Sequence, residues 1–200
     1  TLNRLELSDA TVTLFLTDTT TQPDTTASTP LKWVLDLQKV NLERVALAMQ
    51  IPQDTLRISG FITEAKLRNG VVDFGKASYG ADLFELAASS LDYTATEGKA
   101  MEGFDPSHIG LSDVAIQLNT LYYDSTALSG EIKTFTLKER SGLEITRLEG
   151  AVHGKGKTID VPKLILETPY SRAELEASIP YTAFDAGSQE NMNAHLKAQL

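Results

Sequence analysis

The chain has 200 residues, a net charge of −9 and no cysteine. With a pI near 4.8, the acidic balance argues against nucleic acid, whose phosphates need clustered Lys and Arg, and against docking on an anionic membrane surface. The missing cysteines remove disulfides, thiolate metal sites and cysteine nucleophiles together.

A hydrophobic fraction of 42% excludes disorder by composition and suffices for one large core or one elongated β unit. The apolar runs are too short to span a bilayer as a helix. The termini, Thr-Leu-Asn and Lys-Ala-Gln-Leu, read as those of a segment cut from a longer chain. We expect a single β unit over 1–200, with loops at about 17–30 and 94–108.

Leu2 to Leu16 alternates and is rich in Thr and Leu, which predicts a strand. The polar stretch Thr17–Pro30, with two prolines, predicts an exposed excursion between strands. Leu31–Ile51 also reads as strand, although Glu43–Gln50 is compatible with helix by propensity. Leu56–Leu67 and Val71–Phe74 flank Asn69-Gly70, the strongest short-range hairpin signal. Leu83–Tyr93 is the next strand, and Thr94–His108 a second loop in which Asp105-Pro106-Ser107-His108 fits one capped helical turn. Short strands then recur at Ile109–Asn119, Thr120–Leu128, Ile132–Lys138, Leu143–Val152, Ile159–Glu167 and Ala173–Ile179. Their separators are Ser129-Gly130, Ser141-Gly142, Gly154-Lys155-Gly156 and Thr168-Pro169-Tyr170. A turn near Gly187 precedes a last segment.

Ile109–Asn119 departs from simple alternation. Its apolar residues are Ile109 and Leu111, then, after a one-residue slip across Ser112-Asp113, Val114, Ile116 and Leu118. A slip moves the buried set to the other face unless a bulge or corner absorbs the extra residue, so the stretch reads as a strand bent in the middle. Strict copies start at Leu5, Leu35 and Val72, and looser ones are Leu143-Ile145-Leu148-Gly150 and Ile159-Val161-Leu164-Leu166. The pattern therefore predicts an all-β, repetitive fold with little helix.

No catalytic signature stands out. His108, His153 and His195 have no partner at ligand spacing and read as surface residues. Gly75–Gly80 has one residue too many for a nucleophile elbow, and His153–Lys157 lacks the phosphate-loop spacing; both read as turns. Tyr122-Tyr123 could join an aromatic platform for sugar, but adjacent strand residues point to opposite faces. No cofactor or metal is expected. Val114, Ile116, Leu118, Phe135, Leu137, Ile145, Val161, Leu164 and Leu166 share one face. That face is either an ordinary sandwich core or the open concave side of a curved sheet that holds acyl chains.

The segments Ile109–Asp124, Gly130–Gly150 and Ile159–Ser171 resemble the repeat region of the AsmA-like superfamily, the cue being a unit of strand, kink at Ser-Asp or Pro-Lys, and second strand, as at Ser112-Asp113 and Pro162-Lys163. They are most similar to the translocation and assembly module (TamB) family of the Bacteroidota type, and the resemblance covers roughly 56–180. It implies an elongated, taco-like β sheet of repeated bent strands in the periplasm, within a protein anchored in the inner membrane. It implies no catalytic residues. Val114, Ile116, Leu118, Phe135, Leu137, Leu164 and Leu166 would line a groove for phospholipid acyl chains or outer-membrane protein substrates. The barrel-assembly partner would contact residues outside this segment. The competing expectation is an extracellular or periplasmic β sandwich for adhesion or glycan binding.

Overall fold

The computed structural model describes residues 1–15, 33–51, 56–96, 98–156, 158–180 and 193–199. Among these there is no helix, and eleven strands form one open sheet. The strands are β1 (Leu5–Phe15), β2 (Val34–Ile51), β3 (Leu56–Asp73), β4 (Ser78–Thr94), β5 (His108–Tyr123), β6 (Ala127–Glu139), β7 (Glu144–Ile145), β8 (Arg147–Lys155), β9 (Thr158–Glu167), β10 (Arg172–Pro180) and β11 (Asn193–Gln199). Their spatial order follows the chain, with short β7 beside the end of β6. β1 lies parallel to β2; every other pairing is antiparallel. The chain exposes 13520 Å², against about 9,300 Å² for a compact chain of this mass. A second sheet, which a sandwich core requires, is absent among the described residues. The structure is thus an elongated, curved single sheet.

The curvature comes from the parity slips. In β5, Asp113 adopts φ 52°. The register skips one residue at Ser112-Asp113 against both neighbours, β4 and β6. The extra residue is thereby absorbed, and Leu111 and Val114 stay on one face. Asp9 of β1 (φ 52°), Arg44 of β2 (φ 53°) and Ala88 of β4 (φ 42°) do the same on neighbouring strands. Together with Asp113 they crease the sheet along one line. A second line, about six residues away along the strands, runs through Asn69 (φ 49°) and Thr120 (φ 50°). The Asn69 side chain donates to Asp82 at 2.6 Å on that line. In β9 the slip falls at Pro162, whose missing N–H suits a bulge. The crease residues also pair electrostatically: Asp9 accepts twice from Arg44, at 2.6 and 2.7 Å, and Lys138 stands 3.1 Å from Asp113.

Several expectations are corrected. Asn69-Gly70 is no hairpin. Only Asn69 has positive φ, whereas a type I′ turn needs it at both central residues. β3 runs on to Asp73 because pairing continues along β2 as far as Val34. The reversal falls instead at Phe74–Ala77, so the motif copy at Val72 is a turn, closed by the Lys76 N–H on Asp73 at 3.0 Å. Ser129-Gly130 lies inside β6, and the chain turns at Asp124, whose carboxylate accepts from the N–H groups of Thr126 and Ala127. Thr120–Tyr123 continues β5 and Ala127–Leu128 opens β6. Asp105–His108 forms a turn without helix. Glu43–Gln50 is strand, in keeping with the reading of Leu31–Ile51. The copy at Leu143 is broken at Thr146 into β7 and β8. Loop 17–30 and the turn near Gly187 lie outside the described residues.

Thr120 is β-branched at a positive φ, a conformation glycine adopts freely. Thr120→Gly should raise stability by about 1 kcal/mol, and Ala88→Val should lower it by a similar amount or more. Urea unfolding midpoints check both, and equal midpoints for all three chains would contradict the crease geometry.

Candidate functional site: an uncovered apolar face

Because each slip is absorbed, one face of the sheet stays apolar across the strands. In the middle of the wide half the row Leu7, Leu42, Ala65, Leu86, Ile116 and Phe135 crosses six strands, each residue opposite the next. The adjacent row on the reverse side is Glu6, Asn41, Lys66, Glu85, Gln117 and Thr134. The same split holds later: Gly150, Leu164, Leu175 and Leu196 on one side, Glu149, Ile165 and Glu174 on the other. Ile165 is the exception, buried on the charged side beside Glu149 and Glu174, which bond Arg147 and Arg172. At Gly150 a Cβ would overlap the Lys163 carbonyl oxygen, so glycine is required where β8 approaches β9.

All seven residues singled out for the groove lie on this face. Ile116 is opposite Phe135, Leu118 opposite Ile132, Leu137 opposite Ile145, Leu164 opposite Leu175 and Leu166 opposite Leu148 and Ala173. Val114, opposite Ser89, is buried; the other six are half-buried. Two polar side chains interrupt the face, Ser89 and, at the rim, Glu139, and both are buried. No second layer covers it among the described residues: Val45 alone has a fully buried large side chain.

Sequence reasoning missed the wide half of the face, β2 to β4, where strands of 17 to 18 residues each present seven or eight positions. The alternation of Leu35, Leu37, Val40, Leu42, Val45, Leu47 and Met49 was the available signal, obscured by two slips in one strand. At one end of this half a cleft of about 330 Å³ is lined by Leu37, Leu67, Val72, Ala81, Leu121 and Leu128. Tyr79 and Tyr123 close it, stacked at 6.1 Å with their planes 22° apart. Tyr122 points the other way and donates to Asp124 at 2.6 Å.

The opposite rim carries buried polar groups. His108, expected on the surface, is buried, and its Nδ1 lies 2.9 Å from Asp105. The Asp105 carboxylate also accepts from the N–H groups of Met101 (3.0 Å) and Ser107 (2.9 Å). Those backbone bonds, more than the His108 pairing, hold its pKa below the usual value despite the opposing effect of burial. His153 faces Asp160 across β8 and β9, and His195 faces Glu176 across β10 and β11. Among the described residues no group of three or more His, Asp or Glu could hold a metal ion.

Comparison of the chain with protein-family models, with curated proteins and with solved structures gave no match.

A carboxyl with a lowered folded pKa adds stability that is present above its ordinary value near 3.8 and lost as the pH falls through the lower folded value. Asp105→Asn should therefore lower the melting temperature at pH 7, and the gap to the parent chain should shrink towards pH 2. Melting curves from pH 7 to 2 check this; a constant gap would contradict the assignment.

Proposed function

We propose that this chain is a non-catalytic, periplasmic segment of a TamB- or AsmA-like envelope protein. Its apolar face conducts phospholipid acyl chains or shelters outer-membrane proteins in transit, and the parent protein is anchored in the inner membrane. The observation that carries this reading is the continuous apolar face, without a covering layer among the described residues. A surface of that extent left to water costs free energy in proportion to its area, so a binding role explains its presence. The strand–kink–strand unit adds support, since its corners at Asp113 and Pro162 keep the apolar residues on one side. The adhesion or glycan-binding reading expects a sandwich, and the described residues form a single sheet.

The segment purified from cells is expected to carry lipid detectable by extraction and mass spectrometry. Leu118→Glu places a charge in the middle of the face and should reduce the bound lipid about tenfold or more. Glutamate at Gln117, on the reverse side, should leave it unchanged. A parent chain that carries no lipid and no unfolded barrel protein would overturn the proposal.

A further inference from the structure

Where the slips of neighbouring strands line up, the ladder closes again at once. At Ala88 and Asp113 no more than two consecutive residues on either strand go unpaired. Between β6 and β8 the slips do not line up. β6 slips at Lys133, between Ile132 opposite Leu118 and Thr134 opposite Gln117. The chain beside it slips at Thr146, between Ile145 of β7 and Leu148 of β8, which share the apolar side. Pairing runs from Leu128 opposite Gly154 to Ile132 opposite Gly150, stops, and returns at Leu137 opposite Ile145 in the same register. Across the gap, Thr134 and Phe135 would stand opposite Leu148 and Arg147. Thr134 faces the reverse side and Leu148 the apolar side, whereas Phe135 faces the apolar side and Arg147 the reverse. Residues opposite each other in a ladder share a side, so no pairing forms over Lys133–Thr136. A cleft of about 340 Å³, lined in part by Lys133, Glu149, Lys163 and Ile165, opens at one end of the gap.

The pairs that do form along this seam have little side-chain support. Cross-strand side-chain pairs are the unit of sheet stabilisation, and a glycine supplies no side chain to them. On the apolar side the seam consists of Leu128 with Gly154, Gly130 with Val152 and Ile132 with Gly150. Each of these holds a glycine. On the reverse side Ser129 stands opposite His153 and Glu131 opposite Ala151, and Glu131 pairs with Lys133 of its own strand. By contrast, Leu67 with Phe84 and Val72 with Tyr79 join β3 to β4. The chain itself crosses the seam at Thr146, whose N–H bonds the Glu167 carbonyl of β9. β7 therefore stays in its hairpin with β6, while β8 belongs with β9.

We infer that the sheet hinges along this seam, with β1 to β7 and β8 to β11 turning as two units about Thr146. A hinge needs a few residues at element ends that absorb backbone change between stiffer parts, and Thr146 lies between β7 and β8. Turning there changes the angle between the wide and narrow parts of the apolar face while each part keeps its own ladders. The hinge does not depend on what the face carries.

Hydrogen exchange, followed residue by residue by NMR on the whole chain, is the first test. The amides that β6 and β8 offer each other should exchange about tenfold or more faster than those linking β4 to β5 or β9 to β10. Equal rates would overturn the inference. So would faster exchange between β9 and β10 than at the seam, which is the order expected of fraying inward from β11.

The second test is the distance distribution between paired spin labels, which attach only at introduced cysteines because the chain has none. Gln117→Cys with Glu176→Cys spans the seam over four strand steps on the reverse side. Asn41→Cys with Thr134→Cys spans four steps inside the wide part. The distribution should be about twice as wide or more for the first pair. Equal widths would contradict a hinge at the seam.

Discussion

An 18-residue strand with a side-chain period of two bends only where something absorbs the odd residue, and this constraint governs the whole sheet. Without absorption, each bend would turn the apolar set to the other side. The left-handed backbone at Asp9, Arg44, Ala88 and Asp113 solves this on β1, β2, β4 and β5, as do Asn69 of β3 and Thr120 of β5 on the second line. Each such residue costs of the order of 1–3 kcal/mol. The cost is tolerated because the flanking ladders are long and register-matched on both sides.

The consequence is an unusual division of labour. Stability rests on backbone pairing between sequential neighbours more than on a central core, since few large side chains are fully buried. The reverse side is charged and solvated, with ion pairs such as Arg172 with Glu174 and Lys66 with Glu64, exposed pairs that add little stability individually. They keep that side in water, while no second layer covers the apolar side among the described residues. The sheet also narrows, from 18 residues in β2 and β3 to 9 in β8 and β10, so its apolar width falls by about half along the strand order.

The all-β class and the bent strand at Ile109–Asn119 were legible because apolar parity is a direct record of which side faces away from water. The bulge at Val161–Leu164 was legible for the same reason. Turn placement was not. Asn-Gly signals a residue with positive φ, and both a hairpin and a crease supply a use for one; only the length of pairing offered by β2 distinguishes them. The burial of His108 was hidden because its partner Asp105 lies in a turn, where spacing says nothing of depth. The wide apolar half was hidden by double slips, which make one face look irregular when read along a single strand.

The central claim is that the apolar face is open and receives a ligand. The chain has no cysteine, so single cysteines at Ile116, Gln117 and Leu118 report on each side without background. Their reaction with an apolar maleimide is the most direct measurement. The account predicts that positions 116 and 118 react in delipidated protein and become protected when phospholipid is added, while position 117 reacts equally in both conditions. Positions 116 and 118 that stay unreactive without lipid, as under a covering layer, would contradict it.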